Sequence, residues 1–457
     1  MYRIIVVNFL RIFAMILNNK NRENMALTLI KFCTPLILSG ILQQLYNWAD
    51  AFIVGNVEGE TALAAIGSVS SINNFYITVI TGFTTGLAIY IAQKFGAGQN
   101  KDISCILSTF VVIMGVASII IATIGVIFAN GVLQLLDTPK DIFVSAKNYF
   151  QIISIGVPFL AIYNLYASTI RAIGDSRAPF YAVLVSSAVN VLLDIVFVAV
   201  MGWGVKGAAI ATVIAQFAMT VFTVIYGAKK HQIIRFKFGI AMLCREYIAK
   251  SLSFALPPML QSCINSFGNM ILQGFMNGFG TATVAAITTA YRVDCIALLP
   301  VINLGSGIST LVAQNYGAGD KKKGWKVFTV GLVLMSFVSL ALTMVIVLFG
   351  GKMIALFGAG QEVVTIGTNF FRGLARFYIV YGLAMACRGY IEGTGGVLFS
   401  SVIGITALLS RITASYALKN VFGNMVIAYA EGISWVLLLV LFAVKIVTKY
   451  KAETRTI

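Results

Sequence analysis

The chain carries a long series of apolar segments, each about the length needed to cross a lipid bilayer. Hydrophobic residues make up 59% of its 457 residues, and charged residues only 11%. Soluble proteins have about 45–50% and about 25%. A membrane-spanning helix needs about 20 apolar residues and hydrogen-bonds its backbone within itself. The sequence therefore predicts an all-α integral membrane protein.

Segments of that length predict twelve transmembrane helices, and a polar, basic stretch separates the sixth from the seventh. Their approximate limits are 32–54, 62–92, 104–128, 146–170, 180–201, 206–227, 253–277, 282–314, 327–349, 365–387, 397–418 and 424–446. We predict two six-helix lobes, residues 31–228 and 251–448. A cytoplasmic linker, residues 229–250, joins them, and residues 449–457 form a cytoplasmic tail.

The first 30 residues are an N-terminal extension that can be interpreted in two ways. Tyr2–Leu17 is apolar but contains Arg3 and Arg11, and it is too short to span comfortably. It is either an interfacial amphipathic helix or the result of a start site placed upstream of Met25.

Basic residues predict the orientation in the membrane. Lys and Arg are concentrated in alternate loops, at both ends and in the linker, and the opposite loops hold only Lys140, Lys147, Lys206, Lys352 and Lys419. Cytoplasmic loops carry the excess of positive charge. We therefore expect a multi-pass protein of the inner (plasma) membrane with both termini cytoplasmic. The net charge of +17 follows from this bias and does not indicate a nucleic-acid partner.

The two halves of the chain repeat one another. The run AQKFGAG at residues 92–98 returns as AQNYGAG at residues 313–319, and the same offset of 221 pairs Gly86 with Gly307. Each half has an even number of spans, so the halves share one orientation. We predict that a pseudo-twofold axis along the membrane normal relates the two lobes, as in many transporters.

Four polar residues stand out within the apolar segments of the first half: Asp50, Asn190, Asp194 and Thr212. An ionisable group inside a bilayer costs about 2.5–3.5 kcal/mol on insertion scales and marks a functional site. Asn190 and Asp194 are four apart, so they share a helix face. With about 1.5 Å of rise per residue, all four lie in the outer half of the membrane. They predict one oxygen-lined site for Na⁺ or H⁺, unless they only join helices.

The second half does not repeat the Asn–Asp pair but carries its own charges within apolar segments. They are Arg292, Asp294, Arg372, Arg376, Arg411 and Glu431. One interpretation is a charge-paired structural network, and the other is that some of them line the transport cavity. We expect the possible cavity-lining residues to be Gln43, Tyr46, Arg292, Asp294 and Glu431.

Cysteine and histidine are too few or too scattered to support enzyme chemistry. The six cysteines show no CxxC spacing, and His231 is the only histidine. We interpret the cysteines as small core residues rather than a disulfide framework or a metal site. The sequence holds no evident nucleophile–base pair, so we predict that the chain is not an enzyme and has no cofactor.

In combination, these motifs resemble the multidrug and toxic compound extrusion (MATE) transporters of bacteria. The resemblance rests on LYNWAD at residues 45–50, the Asn190–Asp194 pair, GVKGAAIAT at residues 204–212, and the repeated AQ-x-aromatic-GAG run with a proline early in each half. It implies a V-shaped pair of lobes and cation-coupled drug export by alternating access. It also implies that Asp50, Asn190, Asp194 and Thr212 bind the cation or proton.

The leading hypothesis is therefore an antiporter that exports drugs and other amphipathic, often cationic, organic compounds in exchange for Na⁺ or H⁺. Its partners are small molecules and the lipid bilayer, and we expect a monomer. The alternative is a flippase for a lipid-linked saccharide, although twelve spans and an acidic first lobe argue against it. An intramembrane enzyme or a non-transporting scaffold explains the buried carboxylates less well.

Overall fold

The computed structural model describes residues 20–237, 244–358 and 360–454, and these residues form helices and connecting turns without any β-strand. The helices are α1 (Lys20–Glu58), α2 (Glu60–Gly96), α3 (Asn100–Ile127), α4 (Ala129–Leu135), α5 (Phe143–Ala172), α6 (Arg177–Asp194), α7 (Gly204–Lys230), α8 (Arg245–Asn277), α9 (Thr281–Ala297), α10 (Leu299–Gly317), α11 (Lys321–Ala355), α12 (Gln361–Ala375), α13 (Tyr378–Gly393), α14 (Val397–Ala417), α15 (Lys419–Phe422) and α16 (Val426–Thr454). The predicted all-α class is confirmed.

The helix lengths agree with twelve membrane crossings. Within the described residues, nine helical segments are long and apolar enough to cross a bilayer, and two bent helix pairs pass the same test. The remaining long helix is α8, which has 33 residues but is less apolar because Pro257, Pro258 and Gln261 interrupt it. With α8 included, these elements correspond to the twelve predicted spans.

Two predicted helices are broken in the middle. The predicted helix 282–314 consists of α9 and α10, which meet at 42°, and the predicted helix 365–387 consists of α12 and α13, which meet at 50°. Pro300 stands in the first turn of α10, where a residue without an N–H is tolerated and a new helix can start. Breaks of this kind lie below the resolution of a hydropathy pattern.

The described residues form two compact units, which we call the N-terminal and the C-terminal unit. The N-terminal unit runs from Pro35 to Met259, and the C-terminal unit comprises the residues up to Thr34 and those from Leu260 onward. Helices α1 and α8 are thus each divided between the units, close to Pro35 and Pro258. The lobe limits predicted above, 31–228 and 251–448, remain predictions.

Glycines that the internal repeat pairs have equivalent packing roles in the two units. In the N-terminal unit, a Cβ on Gly86 would lie 2.9 Å from the Cα of Ala255, in the first turns of α8. In the C-terminal unit, a Cβ on Gly307 would overlap the sulfur of Cys33, in α1. Cys33, next to Phe32, donates its thiol to the Asn303 carbonyl at 3.6 Å. A small residue is required at both crossings.

One prediction about the cysteines is wrong. Cys105, in the first turns of α3, and Cys244, just before α8, are joined by a disulfide with a Cα–Cα distance of 6.3 Å. They are 139 residues apart, so no local spacing indicates the pairing. The other four cysteines are free, and Cys33 and Cys387 are buried as small core residues.

The predicted N-terminal extension, residues 1–30, lies largely outside the described residues. The structure begins at Lys20, where α1 is already helical. The two interpretations of Tyr2–Leu17 therefore concern residues that the structure does not describe.

Candidate functional site

Helix α6 holds the two polar residues that the sequence analysis emphasised most. Asn190 and Asp194 are one turn apart on this helix and are 2% and 0% exposed. Such complete burial requires hydrogen bonds or a bound ion to compensate for lost hydration. Yet the side chain of Asn190 has no hydrogen-bond partner among the described residues, and the only polar group that the carboxyl group of Asp194 meets there is the carboxyl group of Asp50.

Asp50 of α1 faces the same place. Its side chain is partly buried, and its Oδ1 is fully buried without a partner in the described part of the chain. The carboxyl groups of Asp50 and Asp194 are close enough to interact directly. Two facing carboxylates repel one another when both are ionised. A proton or a monovalent cation between them would remove that repulsion.

A buried apolar wall lies in the same unit as these carboxyl groups, and its member Tyr149 is within electrostatic range of both. Val54 of α1, Ala65 of α2, Ile153 of α5 and Ala208 of α7 belong to one buried cluster of the N-terminal unit. Surroundings of low polarity strengthen the interaction between charges and raise the cost of an unpaired one. The wall therefore increases the demand for a counter-charge at Asp50 and Asp194.

Tyr149 also belongs to this site, although the sequence does not indicate it. It lies on α5, is 6% exposed, and is within electrostatic range of both Asp50 and Asp194. A phenol at this position offers a hydroxyl toward the two carboxyl groups. Its sequence context is that of any tyrosine in an apolar helix, so only the three-dimensional structure identifies it.

The backbone changes its geometry directly after Asp194. Residues Ile195–Val200 form a π-helix, a rare form that is frequent at functional sites. The chain then turns into α7 at Gly204, which has a φ of +57° that side-chain-bearing residues rarely adopt. Gly207 lets α7 approach the backbone of Phe197, because an added Cβ would lie 3.1 Å from the Phe197 carbonyl. The π-helix thus separates Asp194 from a tightly packed turn.

The structure gives weaker support for Thr212 as a member of this site. Its hydroxyl donates to the Ala208 carbonyl of its own helix at 2.9 Å, and its side chain is partly buried. The hydroxyl proton is therefore already used, and the oxygen lone pairs remain for a cation. Thr212 lies on α7 in the same unit as the other three residues.

The second half carries a different cluster, within the C-terminal unit. The Tyr291 hydroxyl donates to Glu431 Oε2 at 2.9 Å, and Arg411 Nη2 reaches Tyr291 at 2.7 Å and Glu431 at 3.2 Å. Asp294 accepts a 2.6 Å hydrogen bond from Tyr378. Glu431 and Arg411 form the expected charge pair, and Tyr378 is a participant that the sequence did not indicate.

The remaining sequence-predicted residues are on the outside of their units. Arg292, Arg372 and Arg376 are exposed, so they are not part of the cluster around Glu431. Gln43 is exposed and Tyr46 is partly buried on α1. Tyr46 lies within electrostatic range of Asp50, which connects it to the first-half site.

The chain is similar to known proteins over nearly its whole length. The MatE family profile matches residues 35–196 and 257–417. The probable multidrug resistance protein YoeA of Bacillus subtilis (strain 168) is 26% identical over 456 residues, 97% of this chain and 98% of that protein. The multidrug export protein MepA of Staphylococcus aureus (strain NCTC 8325 / PS 47) is 22% identical over 416 residues, 90% of each chain.

Solved structures share the fold at low sequence identity. An outward-facing multidrug resistance transporter of the MOP superfamily has a TM-score of 0.87 and 19% identity, covering 94% of this chain and 97% of that one. A second structure, in a bent conformation, has a TM-score of 0.86 with 19% identity, covering 94% and 96%. These similarities support the twelve-helix, two-lobe architecture.

Proposed function

Because the chain belongs to the MATE family of multidrug efflux transporters, we propose that it exports amphipathic organic compounds, often cationic, in exchange for Na⁺ or H⁺. Export proceeds by alternating access, and the protein acts as a monomer in the plasma membrane with both termini cytoplasmic. The proposal has two parts: the exported compound and the coupling ion.

The observation that carries the ion coupling is the set of unpartnered polar atoms in the N-terminal unit. Asp194 and Asn190 are buried, Asp50 joins them, and apart from the contact between the two carboxyl groups their buried polar atoms lack hydrogen-bond partners within the described residues. A buried group without a partner costs about 1–3 kcal/mol, and more when it is charged. A reversibly bound cation would recover that energy each time it binds.

The donor set suits either coupling ion. Carboxylate, amide and hydroxyl oxygens are hard ligands of the type that alkali cations accept, and the same carboxylates can take a proton. Binding of either ion removes net negative charge from the helices that meet at the site, α1, α6 and α7. A ligand that binds one packing of these helices better than another shifts the population between them. That shift is the proposed link between ion entry and drug release.

The functions given to the relatives support the proposal that organic drugs are the exported compounds. YoeA is described as a probable multidrug resistance protein and MepA as a multidrug export protein. Tyr46, which is partly buried beside Asp50, provides an aromatic face of the kind that attracts flat or cationic ligands. Multidrug transport requires such broad, adaptable contacts rather than one set of matched hydrogen bonds.

The test is efflux from proteoliposomes that contain the full-length protein, with a Na⁺ gradient or a pH gradient imposed separately. We expect one of the gradients to drive export of a fluorescent organic cation. Asp194→Asn and Asp50→Asn should reduce ion-driven efflux to the level of empty liposomes, because each removes a carboxylate from the site. Thr212→Ala should reduce it without abolishing it.

Asp141→Asn is the matched control, since Asp141 is an exposed carboxylate in the loop before α5. It should transport like the parent protein. Unchanged ion-driven efflux in well-folded Asp50→Asn and Asp194→Asn proteins would contradict the site assignment. Failure of both gradients to drive export of any organic cation would contradict the antiport proposal itself.

A further inference from the structure

The C-terminal unit contains a second cluster of buried titratable groups, which we call the C-terminal cluster. It consists of Tyr291 and Asp294 on α9, Tyr378 on α13, Arg411 on α14 and Glu431 on α16. Asp294 is 4% exposed, Glu431 8% and Tyr378 0%. Four helices thus direct polar groups into one buried place.

One half of the C-terminal cluster is internally neutral. Arg411 Nη2 lies 3.2 Å from Glu431 Oε2 and 2.7 Å from the Tyr291 hydroxyl, which itself donates to Glu431 at 2.9 Å. A guanidinium and a carboxylate that share a phenol in this way satisfy one another. Arg411 therefore compensates the charge of Glu431.

The other half has no cation hydrogen-bonded to it in the described residues, and Arg411, already paired with Glu431, acts on Asp294 only from a distance. Asp294 accepts from the Tyr378 hydroxyl at 2.6 Å, and this neutral phenol is its hydrogen-bond partner within the described residues. Arg388 of α13 is paired with Glu392 of the same helix. The other charged side chains on α9, in the last turn of the neighbouring helix α11, and on α12 or directly after it are exposed. They are Arg292, Lys352, Glu362, Arg372 and Arg376.

The charges of the C-terminal cluster therefore do not balance when both acids are ionised. Two carboxylates and one guanidinium leave an excess of one negative charge, located at Asp294. An uncompensated charge buried within a membrane protein is costly, whereas a protonated carboxyl group is far less so. A tyrosine hydroxyl can hydrogen-bond to either form of the carboxyl group.

We propose that Asp294 is a second proton-carrying site of this protein, oriented by Tyr378 and separate from the carboxylates of the N-terminal unit. The step is simple: a carboxylate oxygen of Asp294 takes up a proton from water to form the carboxylic acid, and the same O–H bond breaks on release. Tyr378 keeps its own proton and its hydrogen bond throughout. Arg411 and Glu431 remain an ion pair and set the local field.

Only the role of this proton in drug export rests on the proposed function; proton binding itself does not. The chain then has two chemically different titratable sites, one in each unit. The first has facing carboxylates and an amide, and the second has one carboxylate, a phenol and an adjacent ion pair.

The test is infrared spectroscopy of the full-length protein reconstituted in lipid and titrated with pH. Protonated carboxyl groups are identified by their carbonyl stretch, which shifts in heavy water. The titration is done in an Asp50→Asn/Asp194→Asn background, so that the N-terminal unit does not contribute. We expect a protonated carboxyl band at neutral pH that disappears under alkaline conditions, and Asp294→Asn should remove the absorbance of one such group per molecule.

Glu392→Gln is the control, because Glu392 is buried but is paired with Arg388 and Ser400, each at 2.7 Å. This variant should leave the band in place. Tyr378→Phe keeps the carboxyl group and loses its hydrogen bond, so the band should persist at a shifted frequency with a shifted titration midpoint. This variant keeps the test decisive if Asp294→Asn does not fold.

A band that neither Asp294→Asn nor Tyr378→Phe alters would overturn the proposal. So would loss of the band on adding Na⁺ at constant pH, because the site would then bind sodium rather than a proton. The outcome is independent of the efflux assay: liposomes without ion-driven export would refute the proposed function and leave this band unaffected.

Discussion

Buried carboxylates in this protein fall into two groups that differ in their partners. Glu392 is held by Arg388 and by the Ser400 hydroxyl, each at 2.7 Å. Asp194 is also buried, and the polar group that its carboxyl group meets in the described residues is a second acid, Asp50. A satisfied carboxylate can be kept for structure, whereas an unsatisfied one destabilises the fold until something binds. This difference is the reason for proposing a functional role for Asp194 and a structural one for Glu392.

Asp175, in the loop between α5 and α6 and outside the membrane segments, has a carboxyl group whose ionisation should affect stability. Burial raises the pKa of its carboxyl group, but hydrogen bonds from His231 and Lys230 outweigh this effect and lower the pKa from 3.8 to about 2. A lowered pKa contributes stability above pH 3.8, and that stability is lost as the pH falls toward about 2. Asp175→Asn should therefore lower stability at neutral pH by about 1–2 kcal/mol.

Thermal unfolding in detergent, followed across pH, measures this effect. The difference between Asp175→Asn and the parent should narrow as the pH falls through the same window. Asp141→Asn, at an exposed loop position, should match the parent throughout. A constant difference at all pH values would show that the ionised form of Asp175 is not the stabilising one.

At the scale of helices, the π-helix at Ile195–Val200 and the bends before α10 and α13 concern elements that meet buried polar groups. The π-helix follows Asp194, and the bend before α10 lies three residues after Asp294. Interrupted helices leave backbone groups to be satisfied by other means, and membrane proteins tolerate this mainly at functional sites. Regular helices would be cheaper at both positions.

The crossing of α2 with the first turns of α8 requires a glycine at residue 86. Gly86→Ala should destabilise the protein by about 1–3 kcal/mol, because the new Cβ would overlap the backbone at Phe254 and Ala255. Gly67→Ala, on the same helix and with open space around it, should be neutral or stabilising, since alanine favours helix by about 0.5–1 kcal/mol. Thermal unfolding of the two variants makes the comparison. Equal effects would exclude close packing as the reason for Gly86.

For the whole molecule, the alternation of basic loops predicts a single orientation in the membrane. Lys140 lies in a loop predicted to be outside, and Lys322, at the start of α11, is predicted to be cytoplasmic. In a full-length chain without its native cysteines, Lys140→Cys should react with an impermeant maleimide in intact cells. Lys322→Cys should react only after lysis. The reverse pattern would contradict cytoplasmic termini.

Much of the architecture was predictable because membrane helices are determined locally. Spans follow from apolar length, and the internal repeat from recurring motifs such as residues 92–98 and 313–319, whereas the orientation inferred from loop charge stays a prediction. The shared face of Asn190 and Asp194 follows from helix geometry. The spans and the shared helix face need only residues that are near one another in the chain, and the repeat needs only the comparison of two short runs.

Contacts between distant segments were decided by packing. Asp50 meets Asp194 and Tyr149, Tyr378 rather than a basic residue holds Asp294, and Cys105 pairs with Cys244. A helix that is apolar on all sides can pack against its neighbours in many registers, so hydropathy does not determine which register forms. The choice is made by close contacts at residues such as Gly86 and Gly307. The sequence alone supports a two-lobed membrane transporter with buried acids, and only the folded structure separates the unpartnered carboxylates from the paired ones.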